Sequence, residues 1–143
     1  MIRGINHLGI AVASLDDAVE HYGTLLDRDP DSVAELPERG VRLCVFRVGG
    51  TEIELVEPLG PRGDSLRRFL EKRGEGIHHV CLDVDDVELE LERLQHEGFT
   101  AVGPPREGAL GRRVAFLRPT RGLLVELAEP GQGEPSALED APD

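Results

Sequence analysis

The sequence predicts an α+β fold: two copies of one βαββ(β) module whose curved, mixed sheet surrounds a cleft. Three observations predict it. The first is a repeat. Asn6-His7-Leu8-Gly9-Ile10-Ala11-Val12 matches His78-His79-Val80-Cys81-Leu82-Asp83-Val84 at an offset of 72 residues (79 − 7), and Glu54-Leu55-Val56-Glu57-Pro58 matches Glu126-Leu127-Ala128-Glu129-Pro130 at the same offset (126 − 54). The second is the order of periodicities, which pass in each copy from strand-like alternation to helical spacing and back. The third is composition. With 143 residues, 4 Phe, 1 Tyr and no Trp, the chain has room for one domain whose core is aliphatic.

The elements follow in order. Residues 2–12 alternate, with Leu8, Ile10 and Val12 on one face and His7, Gly9 and Ala11 on the other. Ser14 with Asp17 forms a capping pattern, and Leu15, Ala18, Val19, Tyr22, Leu25 and Leu26 follow at helical spacing up to the stop at Asp27 to Pro30. Residues 31–40 read as an acidic loop with one more short strand around 33–37. Val41 to Val48 and Thr51 to Val56 are strands joined by a Gly49-Gly50 hairpin. Asp64 is placed to cap a linker helix over about residues 65–73, which Gly74 ends. The second copy gives a strand over Ile77 to Val84 and a helix over about Asp86 to Glu97. A Gly/Pro-rich loop covers 103–111, a strand Arg113 to Leu117, a turn Arg118 to Gly122 and a strand Leu123 to Ala128. One domain thus spans 1–130, with repeats at 2–57 and 76–130. Residues 131–143 are an acidic Gly/Pro/Ser tail expected to be disordered.

Charge narrows the function. The net charge of −12, from 16 basic and 28 acidic residues, argues against nucleic acid as a general partner. No signal sequence opens the chain and no apolar run approaches membrane-spanning length, so a soluble cytoplasmic protein is the expectation. Cys44 and Cys81 lie within apolar strand-like runs and read as reduced core residues.

The repeat also singles out chemistry. Each copy carries a histidine at the start of a strand and a glutamate 47 residues later (54 − 7 and 126 − 79). Duplicated modules point equivalent residues at a common axis, so His7, Glu54, His79 and Glu126 are expected to converge on one divalent metal ion in the cleft. Two neutral imidazoles and two carboxylates suit a six-coordinate ion such as cobalt, nickel, manganese, iron or zinc, with positions left for water or substrate. A closed structural zinc site would instead use thiolates. By parity His78 belongs with the helix-packed face. His21 and His96 read as surface residues, and Glu57 and Glu129 as exposed strand ends.

These residues carry a resemblance. The duplicated unit with its His, Glu, His and Glu resembles the vicinal oxygen chelate superfamily. Residues 2–129 are similar to its methylmalonyl-CoA epimerase family. The stretches concerned include Pro37-Glu38-Arg39-Gly40-Val41, Glu52-Ile53-Glu54-Leu55-Val56-Glu57-Pro58-Leu59, Gly74-Glu75-Gly76-Ile77-His78-His79, Gly108-Ala109-Leu110-Gly111 and Val125-Glu126-Leu127. The superfamily's metal pattern is shared with glyoxalase I, whereas the Gly-Glu-Gly-Ile-His-His and Pro-Glu-x-Gly-Val runs are more specific to the epimerases.

The resemblance implies an epimerase that interconverts the 2R and 2S forms of methylmalonyl-CoA by α-proton abstraction through a metal-stabilised enediolate. It implies His7, Glu54, His79 and Glu126 as ligands, with cobalt foremost, Glu126 as the proton-transfer group, an acyl-CoA partner and a homodimer. Some relatives have glutamine at the place of Glu54 and a second glutamate at the place of Leu43. Arg118-Pro119-Thr120 stands where many have His-Pro-Lys. Arg112 and Arg113, or Lys72 and Arg73, could meet coenzyme A phosphates, and solvated surface positions are an equally good reading of them. The alternatives are a glyoxalase-I-like isomerase of a glutathione hemithioacetal and a non-catalytic small-molecule binder of the same fold.

Overall fold

The computed structural model describes residues 1–107 and 112–130. Among these are eight strands and three helices, in the expected α+β class. The strands are β1 (Ile2–Ala11), β2 (Ser32–Leu36), β3 (Val41–Val48), β4 (Thr51–Pro58), β5 (Gly76–Val84), β6 (Ala101–Glu107), β7 (Arg113–Thr120) and β8 (Leu123–Ala128). The helices are α1 (Leu15–Leu26), α2 (Asp64–Arg73) and α3 (Val87–His96). The acidic tail expected over residues 131–143 and the Gly108-Ala109-Leu110-Gly111 run lie outside the described residues.

The described residues form two compact units, one of Met1–His7 with residues 79–107 and 112–130, the other of Leu8–His78. In the second of these, β2 pairs antiparallel with β3 and β3 with β4, and the Val12 amide donates to the Val56 carbonyl at 2.9 Å. Alternation sorts the strand residues. Val12, Cys44, Phe46 and Leu55 pack with Leu15 and Ala18 of α1 into an aliphatic cluster. Leu43, Val45, Glu54 and Val56 have the opposite parity, and register pairs Val45 with Glu54 and Leu43 with Val56.

Gly40, in the Pro-Glu-x-Gly-Val run, sits at φ 74, where an added Cβ would lie 2.3 Å from the Arg62 backbone. Only glycine fits this crossing of two 3-10 turns, Pro37–Arg39 and Pro61–Gly63. α2 differs from expectation at its start. Gly63 occupies the cap position and Asp64 is already helical, its carboxylate accepting from Arg67 Nη1 at 2.8 Å one turn on.

In the other unit β5 pairs parallel with β8, β8 antiparallel with β7, and β7 antiparallel with β6. Val84, Ala115, Leu117, Val125 and Leu127 pack against Val87 and Leu91 of α3. The residues of alternate parity, among them His79, Cys81, Val114 and Glu126, are buried as well. The Gly/Pro-rich loop expected from 103 is instead the strand β6 over Ala101–Glu107. Its two prolines lack amide donors. They are tolerated because β6 ends the strand order, and because its register with β7 shifts between Val102 and Arg106.

Candidate metal centre

Three residues of one unit, each on a different strand, make up the site. His7 comes from β1, His79 from β5 and Glu126 from β8, and all three are buried. The β5–β8 register sets Cys81 opposite Glu126 and His79 opposite Leu124. The two imidazoles meet edge to face, with Nε2 of His7 3.1 Å from Nε2 of His79. Oε1 of Glu126 lies 3.6 Å from His7 Nε2. Of the four residues singled out in the sequence, this unit brings His79 and Glu126 within contact of His7. Glu54, in the other unit, is wholly buried on β4, on the strand face away from the α1 cluster.

A relay fixes which nitrogen of His7 faces its neighbours. Asn6 Nδ2 donates to Asp83 Oδ1 at 3.1 Å, which leaves Asn6 Oδ1 to accept from His7 Nδ1 at 2.7 Å. The proton of His7 therefore sits on Nδ1, and Nε2 presents a lone pair. Burial holds the His7 pKa well below the usual imidazole value, and the His79 and Arg112 charges push it the same way. A neutral imidazole is what a metal ligand must be.

The donors fit a divalent ion by distance as well as by type. Two donors about 2.1 Å from an ion and at right angles to one another lie about 3.0 Å apart, close to the 3.1 Å between the imidazole nitrogens. The 3.6 Å to the carboxylate corresponds to a wider angle at the ion. His7, Cys81 and Glu126 also form a group whose donor atoms all lie within 4.8 Å of one another.

The remaining candidates divide. His78 is half-buried with its ring edge to face on Phe69 of α2, and its pKa is lowered by that burial. His21 and His96 are exposed, as expected. Glu57 and Glu129 are not exposed strand ends. Glu57 accepts from the Leu15 amide at 2.6 Å and Glu129 from the Val87 amide at 2.8 Å, so each caps the helix of its own repeat. Arg112 is 4% exposed, no surface residue, and its charge reaches His7. Arg113 instead pairs with Glu88. Sequence reasoning did not assign Asn6 or Cys81 to the site. Cys81 shares the parity of His79, and that was the available signal.

Comparison with known proteins adds an independent line. Residues 6–116 match the Glyoxalase/Bleomycin resistance protein/Dioxygenase superfamily. The chain is 37% identical over 134 residues to the ethylmalonyl-CoA/methylmalonyl-CoA epimerase of Cereibacter sphaeroides, covering 90% of this chain and 99% of that one. It belongs to the methylmalonyl-CoA epimerase family of that superfamily. Two solved members of the epimerase family agree in fold. The Mycobacterium tuberculosis methylmalonyl-CoA epimerase superposes with a TM-score of 0.77 at 33% identity, covering 91% of this chain and 89% of that one. A methylmalonyl-CoA epimerase in complex with methylmalonyl-CoA and NH4+ gives 0.78 at 28% identity, covering 99% and 100%.

Proposed function

We propose that this protein is a metal-dependent epimerase of methylmalonyl-CoA, with His7, His79, Glu126 and Glu54 as ligands and Glu126 as the proton-transfer group. The observation that supports it most is the buried cluster of His7 Nε2, His79 Nε2 and Glu126 Oε1 in a chain of the epimerase family. Glu54 enters through the 72-residue repeat in the sequence and its complete burial. Cobalt is the first choice of ion on the family resemblance, and the mixed nitrogen and oxygen donors suit it along with nickel, manganese, iron and zinc. A homodimer and a cytoplasmic location belong to the same proposal.

A divalent ion bound there supplies Lewis acidity that lowers the cost of negative charge on the substrate's thioester and carboxylate oxygens. The chain's own residues do the rest. The Asn6–Asp83 relay holds His7 in one tautomer. The Glu126 carboxylate takes the proton from the carbon between thioester and carboxylate. Burial excludes bulk water, so the carboxylate is not lost to a hydration shell. Inversion needs a proton returned from the opposite face. Leu43, buried on β3, has no proton to give, so the returning group is not at the position that carries glutamate in some relatives.

Relatives that align with this chain over most of their length are named epimerases, which favours this reading over the hemithioacetal isomerase and the non-catalytic binder. The test is deuterium exchange at the substrate α-carbon with cobalt added, comparing wild type with Glu126→Gln. The variant is expected to lose on the order of 10²–10⁴-fold in exchange rate. Full exchange by the variant would remove Glu126 from the reaction. Turnover of a glutathione hemithioacetal in place of methylmalonyl-CoA would overturn the whole reading.

A further inference from the structure

We propose that Cys81 is a sulfur donor of this centre, recruited with His7 and Glu126 when the ion is soft, as zinc is. The inference rests on the metal centre proposed above and adds a donor to it. β5 alternation gives Cys81 the parity of His79, and the β5–β8 register sets it directly across from Glu126. His7, Cys81 and Glu126 are all buried, and their donor atoms lie within 4.8 Å of one another. An ion with bonds of about 2.0–2.3 Å bridges opposed donors roughly 4.0–4.6 Å apart, so small side-chain rotations complete the set.

Sulfur changes what the centre selects. Imidazole and carboxylate donors serve many divalent ions, whereas a thiolate favours the softer ones. As the bond from Sγ to the ion forms, the thiol proton leaves to solvent. Cys44 provides the contrast. It lies among Val12, Leu15, Phe46 and Leu55 under α1, and burial pushes its thiol up to about 11. The bland reading of Cys81 is apolar filling, since it packs with Val114 and Ala128. That reading leaves zinc indifferent to the residue.

X-ray absorption on the full chain loaded with one equivalent of zinc separates the two. The chain has two cysteines, so a Cys44→Ser variant leaves Cys81 as the sole thiol. A sulfur scatterer at about 2.3 Å in that variant, beside a nitrogen and oxygen shell, is the expected result. Cys81→Ser should leave nitrogen and oxygen alone and lower zinc affinity on the order of tenfold. Zinc bound to Cys44→Ser without a sulfur scatterer overturns this inference and leaves the metal centre standing. No zinc bound to wild type overturns both. The Cys44→Ser spectrum decides the matter even if Cys81→Ser does not fold.

Discussion

Asn6 has two amide ends and uses both. Nδ2 donates to Asp83 and Oδ1 accepts from His7 Nδ1, so one side chain sets the tautomer and ring plane of a proposed ligand. Removing it takes away the acceptor that holds the His7 proton on Nδ1. Asn6→Ala is therefore expected to weaken divalent metal binding by about 10–100-fold, as losses of ligand-orienting partners do. Calorimetric titration of the metal-free protein checks it, and unchanged affinity would show that packing alone orients His7. At this scale the sequence was most informative where the repeat spoke. The sequence singled out His7, Glu54, His79 and Glu126 together because a shared offset is improbable for unrelated surface residues, and in the fold His79 and Glu126 lie within contact of His7. Asn6 was not singled out, since its role depends on Asp83, a contact across 77 positions of chain. Arg112 was hidden for the same reason. An arginine after a glycine-rich run reads as solvated, and only packing shows it buried.

Helix starts show the repeat working on whole elements. Ser14 accepts from the Asp17 amide at the head of α1, and Asp86 from the Leu89 amide at the head of α3. Glu57 and Glu129 then arrive from strand ends to accept from the first helical amides, Leu15 and Val87. Each helix thus begins with two of its orphan donors satisfied and a carboxylate at its positive end. Glu57→Ala and Glu129→Ala should each lower stability by about 0.5–2 kcal/mol. Urea denaturation measures this, and a loss confined to one of the pair would show that the duplicated cap is not equivalent in the two repeats. The sequence paired these glutamates correctly but assigned them to solvent, because strand parity cannot reveal a helix end lying over the strand. β6 was missed for a different reason. Gly103, Pro104 and Pro105 signal a break locally, and only the short strand of the first repeat, β2, indicates that the equivalent place pairs at a sheet edge.

Acidity ties the whole molecule to its buried imidazoles. The net charge of −12 favours solubility, and lowering the pH relieves self-repulsion. The histidines act in the opposite direction. His7 is held well below its usual pKa by burial first, then by His79 and Arg112, and His78 is lowered by burial. Both stay neutral in the folded protein at pH values where the unfolded chain takes up protons. Their stabilising contribution is therefore complete above the unfolded value of about 6.5, and it is lost as pH falls from there toward the lowered folded values. Each such site steepens the loss by up to about 1.4 kcal/mol per pH unit within that window. For the metal-free protein, urea midpoints are expected to fall between about pH 6.5 and 5.5, with a shallower slope in His78→Asn than in wild type. Equal slopes would mean that His78 protonates in the folded state as readily as in the unfolded one. Adding a divalent ion should raise wild-type stability by nearly equal amounts at pH 7 and pH 5.5, because the His7 nitrogen the ion needs is already deprotonated in the folded protein over that range. A gain that shrinks steeply between the two would show that His7 takes up a proton in the folded protein.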